Sequence, residues 1–278
     1  MIKFMCNGRW FWLYLAIAVV LIPSLLIAAE RRRATKYRQL NANSETVEMF
    51  SAMEKGQLDV KIIPKDSTQC RVLIENKTDK PLSIKLPEAF AAVPVLAQGL
   101  DRAGGGGRAG GGGYGGGGGG AQAMGGGMGG GGMGGGGMGG GGGGGFFNVA
   151  PEQVGQLRVT TICLEHGKDE PRAAIPYEIK PIESFTNRST VHELCRMLGA
   201  GQLNQRAAQA AAWFLNNDMS WQELTAKRLR HANGTSEPYF SAQEIQAAMQ
   251  VAQTVQKIAE EKQKQKQYSS SDYSPGQQ

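Results

Sequence analysis

The sequence is poor in the residues that most often carry catalysis or bind metal ions. Its 278 residues include three histidines and four cysteines. It contains no G-x-S-x-G, H-E-x-x-H or Walker motif, so nothing points to an α/β-hydrolase, a zinc protease or a P-loop nucleotide-binding protein. We therefore predict that the protein is not an enzyme and that it uses no cofactor.

The chain also lacks a large excess of charge of either sign. It has 30 Lys and Arg residues against 24 Asp and Glu, a net charge of +6, and most of the basic residues are scattered. The densest basic cluster comprises Arg31, Arg32, Arg33, Lys36 and Arg38. Such a cluster next to an apolar segment suits anionic lipid headgroups. A nucleic-acid partner is not expected.

That apolar segment covers residues 10–29 and follows a short N-terminal tail, residues 1–9. An uncharged run of about 20 residues matches the hydrocarbon thickness of a bilayer. We predict a single-pass transmembrane helix in contact with membrane lipid. The alternative is a cleaved signal segment, which needs small residues at positions −3 and −1 of the cleavage site. Leu26 or Ile27 would occupy position −3 here.

The orientation of the segment has two interpretations. The basic cluster that follows it would place the body of the protein in the cytoplasm by the positive-inside rule, although long domains translocate largely regardless of flanking charge. The body has the pattern of a small β-domain, which is typical of exported proteins. We predict an extracytoplasmic body, anchored in the membrane.

Residues 57–182 alternate between apolar and polar side chains in short runs, which predicts six or seven β-strands. The polar turn at 76–81 predicts a hairpin between the strands on its two sides. Pro94 lies in an apolar run at 91–98 and favours an edge strand there. We predict an α+β protein whose β-domain is a small immunoglobulin-like sandwich.

Glycine is abundant, with 41 copies, and most of them lie between Gly104 and Gly145. Glycine has no side chain to bury and loses the most conformational freedom on ordering. We therefore predict a disordered Gly-rich insertion over 101–145, which the folded interior excludes and whose deletion leaves the melting temperature equal or higher. A tolerated expansion and a self-associating segment are the leading interpretations. Methionines recur through the insertion, at Met124, Met128, Met133 and Met138.

Helical periodicity flanks the β-domain. Residues 30–56 predict a basic linker and a short helix from Asn43 to Lys55, with Gly56 directly after its end, and residues 183–260 predict a helical segment. Three S/T-x-x-E capping boxes mark predicted helix starts. They are Thr190 with Glu193, Ser220 with Glu223, and Ser241 with Glu244. The third helix is predicted to continue to about Arg230, and residues 261–278 form a disordered polar tail.

Four residues form two candidate ligand pairs, Cys163-x-x-His166 and His192-x-x-Cys195. Two cysteines and two histidines can hold tetrahedral zinc, but this spacing is not a standard zinc pattern and we assign no metal site. Buried thiols are one alternative. A disulfide among Cys70, Cys163 and Cys195 is another, with Cys163 to Cys195 the preferred pair, and it requires an oxidising compartment.

Several segments of the chain together carry a resemblance. They are Gln57–Lys61, Asn76–Leu82, Leu86–Phe90, the Gly/Met-rich insertion, Phe146–Val149, Cys163–Lys168, Gln209–Trp213 and Ser220–Leu224. Over about residues 57–252 the chain resembles a group of uncharacterised, exported proteins of planctomycete-type bacteria. The resemblance implies an extracytoplasmic setting and assigns no activity and no functional residue.

These observations together predict a membrane-anchored protein of the cell envelope with a structural or protein-interaction role. Its partner would be an envelope component or another protein. A cytoplasm-facing membrane adaptor is the first alternative, and a metal-binding module around Cys163 and His192 is the second.

Overall fold

The computed structural model describes residues 44–95, 120–129 and 145–271. The chain separates into two units, Met1–Glu45 and Thr46–Gln278, and almost all described residues belong to the second. Within the described ranges, no helix combines the length and the apolar character needed to cross a membrane.

Some predicted segments lie outside the described residues. They are the N-terminal tail at 1–9, the transmembrane segment at 10–29, the basic linker up to residue 43, the insertion at 96–119 and 130–144, and the end of the tail at 272–278. The predictions made for them stay predictions.

Six antiparallel strands close into a barrel; among the described helices, one short helix precedes these strands in the chain and the others follow them. In order around the barrel, the strands are β2 (Leu58–Pro64), β3 (Gln69–Asn76), β8 (Val154–Cys163), β6 (Met124–Gly126), β5 (Phe90–Pro94) and β9 (Tyr177–Pro181). The α+β class is confirmed. The predicted immunoglobulin-like sandwich is wrong, because β9 bridges β2 and β5 and so removes the open edges that two separate sheets would keep. Alternation identifies a strand and its faces, but it does not determine which strand lies beside it.

Three strands form a second, small sheet in the order β1 (Glu45–Glu48), β4 (Leu82–Lys85) and β7 (Phe146–Val149). The predicted hairpin across the turn at 76–81 is therefore wrong, because β3 pairs with β2 and β8 while β4 pairs with β7. The buried side chain of Asn76 donates to the carbonyls of Lys80, Val149 and Ala150. These bonds hold the chain where it leaves the barrel and joins the second sheet.

Part of the glycine-rich insertion is a barrel strand. Residues 121–128 are buried, and β6 pairs with β5 on one side and with β8 on the other. The prediction that the interior excludes the whole insertion is wrong for these residues. A Cβ atom on Gly127 would fall on the backbone of Glu88, Cys195 and Gly199, so this position admits only glycine. The expectation that deleting the insertion leaves the melting temperature equal or higher no longer holds, because the deletion removes β6.

Proline in β5 has a different role from the predicted one. The strand lies between β6 and β9 in a closed barrel, so it is not an edge strand. Pro94 is its last residue and is paired with Tyr177 of β9. A proline at a strand end removes only the terminal donor of the ladder, which is why the barrel tolerates it.

The helices are α1 (Met49–Glu54), α2 (Ile182–Phe185), α3 (Ser189–Gly199), α4 (Gln205–Asn217), α5 (Trp221–Ala226) and α6 (Ala242–Ser271). Capping boxes at Ser220 and Ser241 are confirmed. The box at Thr190 is wrong, because α3 begins at Ser189 and no side chain caps it. Gly56 follows the end of α1 with a φ of +70°, as predicted. The predicted start of this helix at Asn43 is wrong, because Glu45–Glu48 form strand β1 and α1 begins only at Met49.

Two further helix boundaries differ from the predicted ones. The third helix of the helical segment, α5, stops at Ala226, and a two-stranded sheet of β10 (Arg228–Arg230) and β11 (Ser236–Pro238) follows it. The residues at 261–271 were predicted as disordered tail, but they continue α6. One reason is Lys262, whose Nζ lies 2.6 Å from the carboxylate of Glu193 in α3.

Apolar side chains form two cores. One fills the barrel and the space towards α1 and the second sheet, with Phe90, Ile74 and Met124 at its centre. The other lies between the barrel wall and helices α3, α4 and α6, where the alanines of α4 allow close packing. Gln209 of α4 crosses this second core and bonds both backbone groups of Cys163 in β8, at 2.8 and 2.9 Å.

Candidate functional site

The two cysteines of the predicted site are buried free thiols. Cys163 ends β8 and Cys195 lies in α3, with side chains 1% and 0% exposed. Burial raises the pKa of Cys195 to about 12, and it also raises the pKa of Cys163. The predicted Cys163–Cys195 disulfide is not formed, and Cys195 Sγ instead packs against Gly125 of β6. Protonated, enclosed thiols of this kind are chemically inert, which matches the buried-thiol alternative.

The two histidines of the predicted site have other partners. His166 packs edge-on against Trp213, with ring centroids 4.8 Å apart. His192 Nε2 lies 2.6 Å from the carbonyl oxygen of Thr186. Across the described ranges, no three His, Cys, Asp or Glu side chains converge as a metal ion would require. The structure therefore does not bring the four candidate ligands together.

A different group of side chains does converge, around Trp213 of α4. We call it the cation–aromatic cluster, and it comprises His166, Trp213, Tyr239, Phe240, Lys227 and Arg206. Lys227 Nζ lies 5.2 Å from the ring centroid of Trp213 and 5.1 Å from that of Tyr239. Each distance is within the range of a cation–π interaction.

Lys227 and His166 are directly linked, with 2.9 Å between Nζ and Nε2. An ammonium group only donates, so protonated Lys227 requires His166 Nε2 to be the acceptor and the imidazole to be neutral. Burial lowers the pKa of His166, and the charge of Lys227 lowers it further. Burial also lowers the pKa of Lys227. Among the described residues, Lys227 forms no ion pair within 4.0 Å, and its Nζ contacts His166 and the rings of Trp213 and Tyr239.

The cluster holds the base of the sheet formed by β10 and β11, which we call the hairpin. Tyr239 N–H donates to the carbonyl of Lys227 at 2.9 Å, and this bond joins the residues directly before and after the hairpin. Both residues belong to the cluster, so the hairpin is fixed to α4 through their side chains.

The hairpin itself is exposed along its whole length, residues 228–238. Its turn contains Gly234 at a φ of +83°, a backbone conformation that glycine adopts at low cost. The register pairs Arg228 with Pro238 and Arg230 with Ser236. Since side chains alternate along a strand, Arg228 and Arg230 share one face of the hairpin.

A separate cleft of about 420 Å³ lies between the helices. It is lined by Arg188, Thr190, Phe214, Leu215, Asp218, Met219, Ser220 and Gln256. Its two charged residues are paired with each other, since the Arg188 guanidinium makes two bonds of 2.8 and 2.9 Å to Asp218. The cleft therefore offers a ligand mainly hydroxyl, amide and apolar groups, and no charge that lacks a partner.

No family model matches the chain, and comparisons with curated proteins and with solved structures find no match either. The resemblance to exported proteins of planctomycete-type bacteria thus stays a prediction.

One feature of the sequence does indicate the hairpin, although the helical pattern predicts a helix as far as Arg230. Asn233-Gly234 is a frequent turn dipeptide of β-hairpins, and it lies between two short polar runs. The cation–aromatic cluster had no comparable signal, because its members come from separate segments: the loop after β8, helix α4, and both ends of the hairpin.

Proposed function

We propose that the protein is a membrane-anchored, non-catalytic interaction protein of the cell envelope. In this proposal, residues 10–29 anchor the chain in the membrane and the folded body presents the hairpin to a partner. The apolar segment of the sequence supports the anchor. The observation that carries the interaction role is an exposed hairpin whose base is held against α4 by the cation–aromatic cluster.

The energetics of the hairpin support this role. A two-stranded hairpin alone is marginally stable in water. Here residues 228–238 bury no side chain, so their order depends on the turn and on the base formed by Lys227 and Tyr239. A segment that contributes little to the core, and that is nevertheless held in place, is suited to recognition.

The chemistry of the hairpin favours an acidic partner. Arg228 and Arg230 lie on one face, about 7 Å apart along the strand. Arg228 donates to the carbonyl of Ser236 across the hairpin, and neither arginine forms an ion pair with a described residue. Guanidinium groups bind carboxylates through two parallel hydrogen bonds. An extended peptide with acidic side chains two residues apart would match this spacing.

Site-specific photocrosslinking in intact cells tests the proposal. A photoreactive amino acid replaces Ser236, which pairs with Arg230 and so lies on the same face of the hairpin as the two arginines, or, as a control, Met249 on α6; both positions are exposed. We expect a discrete crosslinked product at position 236 only. The product should disappear in Arg228→Glu/Arg230→Glu and persist in Arg158→Glu/Arg172→Glu, which changes the charge equally on other exposed arginines. Equal products at both positions, or a product that survives Arg228→Glu/Arg230→Glu, would rule the hairpin out.

A cytoplasm-facing adaptor is the second candidate, because two observations favour it. Three free cysteines suit a reducing compartment, and the basic cluster after residues 10–29 follows the positive-inside rule. The native thiols Cys70, Cys163 and Cys195 are too buried to report topology. A Gln246→Cys variant in a Cys6→Ser background places one thiol on the exposed face of α6. Labelling by a membrane-impermeant reagent in intact cells supports the envelope proposal, and labelling only after lysis supports the adaptor.

A further inference from the structure

Strand β6 is separated from the rest of the barrel by a long stretch of chain on each side. Its nearest described neighbours in the chain are Val95, before residues 96–119, and Gly145, after residues 130–144. All its ladder partners belong to β5 and β8. A link of about 15 residues can span at most about 50 Å, which exceeds the width of a small domain.

The contacts that seat this segment do not depend on chain continuity. Leu164 N–H donates to the Ala123 carbonyl at 2.9 Å, and the Ala123 N–H donates to the Glu165 carboxylate at 2.9 Å. On the other side of the segment, the Tyr177 hydroxyl donates to the Gln122 carbonyl at 2.8 Å. The partners come from the loop after β8 and from β9. An identical segment from another molecule would make the same bonds.

The slot between β5 and β8 is selective for this sequence. Met124 and Met128 are buried in it, with 0% and 5% of their surface exposed. Between them, a Cβ on Gly125 would lie 2.7 Å from Cys195 Sγ, and one on Gly127 would fall on backbone. The slot therefore admits a strand with two methionine side chains separated by three glycines, Met-Gly-Gly-Gly-Met.

We propose that this slot is a self-association site, in which residues Ala121–Met128 of one copy of the chain complete the barrel of a second copy. The exchanged and the closed forms share the same contacts, so their balance depends on concentration and on the links. The effective concentration of a tethered segment falls as its link lengthens. Two long links therefore weaken the preference for the closed form.

The glycines also make β6 the strand that is most readily released. Ordering glycine costs more backbone entropy than ordering any other residue. Within Met124–Gly126, only Met124 contributes a side chain to the core. The remaining five barrel strands contribute a side chain at almost every position, so β6 can leave the barrel before they separate.

Mixed-disulfide trapping with the full-length chain in detergent micelles tests the proposal. Ala121 forms a backbone bridge with Asp169, so cysteines at these two positions lie side by side when the segment is seated. One tagged copy carries Ala121→Cys, a differently tagged copy carries Asp169→Cys, and both carry Cys6→Ser. After mixing under mild oxidation, we expect a covalent heterodimer at a yield several-fold above that of a Gln246→Cys and Asp169→Cys pair, which reports random collision.

Two controls make the result decisive. The double variant Ala121→Cys/Asp169→Cys in one chain should close internally, which establishes that the pair reports the seated segment. Adding Gly127→Val to the Ala121→Cys copy should abolish the heterodimer, because the segment no longer fits. A heterodimer yield equal to the collision control, with internal closure intact, overturns the proposal. So does failure of the double variant to close while each single variant melts like the parent. The hairpin proposal is unaffected by either outcome.

Discussion

The last residues of β8 find their backbone partners in different ways on the two edges of the strand. On one edge, the backbone of β6 supplies the partners, with Gly126 opposite Thr161 and Met124 opposite Cys163. On the other edge, β3 ends at Gln69, opposite Thr160, and the amide of Gln209 takes over by bonding both backbone groups of Cys163. One edge is thus filled by a strand almost without side chains, and the other by two glutamine side chains of α4, Gln205 at Thr161 and Gln209 at Cys163.

The difference separates two ways of satisfying a buried backbone. A glycine strand matches the ladder and leaves room for α3, because Gly127 and Gly199 pack backbone to backbone. A glutamine from α4 instead anchors the helical layer to the barrel, and it costs side-chain entropy at only one residue. Each solution therefore fails through a different kind of substitution.

The largest loss of stability is expected from adding one methyl group to Gly127, on the edge of β8 that β6 covers. Gly127→Ala places a Cβ on the backbone of Glu88, Cys195 and Gly199, so the segment at 121–128 cannot stay seated. We expect a loss of more than about 4 kcal/mol in the free energy of unfolding, from overpacking together with lost burial of the two methionines. Urea denaturation measures it.

Gly129→Ala is the matched control for this change. The nearest atoms to its Cβ lie at 3.5 Å, an ordinary contact, so we expect a change within about 0.5 kcal/mol. Equal stabilities for the two variants would mean that β6 is not packed as described.

Substitution of Gln209, on the other edge of β8, should lower the free energy of unfolding by less. Gln209→Met keeps the volume but leaves the N–H and the carbonyl of Cys163 without their partners, and both lie in the buried core. We expect a loss of about 2–3 kcal/mol, again from urea denaturation. Gln205→Met is the control, because Gln205 makes a single bond, to the carbonyl of Thr161, from a half-buried position. A smaller loss at Gln209 than at Gln205 would contradict the role assigned to this edge.

These two edges mark the limit of what the sequence could predict. Alternation along β8 and the alanine stripe of α4 were sufficient to identify both elements, and the capping boxes at Ser220 and Ser241 located two helix starts. The glycine strand was not predictable, because glycine carries neither hydrophobicity nor periodicity. Its place follows only from the space left by Phe90, Leu164 and α3. Lys227 and His166 likewise meet only in the folded chain.

The smallest effect concerns a side-chain contact that depends on pH. Glu193 is 4% exposed and accepts hydrogen bonds from Arg196 and Lys262. Burial alone would raise its pKa, but these two cations hold the pKa below its ordinary value of 4.5. A carboxyl with a lowered pKa stabilises the folded state above pH 4.5, and that contribution is lost as the pH falls through the folded-state pKa.

Glu193→Gln should therefore lose about 1–2 kcal/mol at pH 7, since both cations are partly solvated, and show a shallower loss of stability on acidification. Thermal melts between pH 3 and 7 measure both quantities. In Gly129→Ala, stability should depend on pH as it does in the parent protein, because this substitution changes no titrating group. If the stability of Glu193→Gln falls with decreasing pH as steeply as that of the parent protein, this carboxyl does not govern the loss of stability in acid.

The position of β6 near the start of the methionine repeats has a genetic consequence. The barrel uses the stretch from Ala121 to Met128, and the further units of similar sequence lie downstream of it. Repetitive glycine codons tend to gain and lose copies when a gene is replicated. Gains or losses of units within residues 130–144 leave the sequence of every described strand unchanged. We therefore expect variants with different repeat numbers in that range to form the same barrel, provided that Ala121–Met128 is left intact.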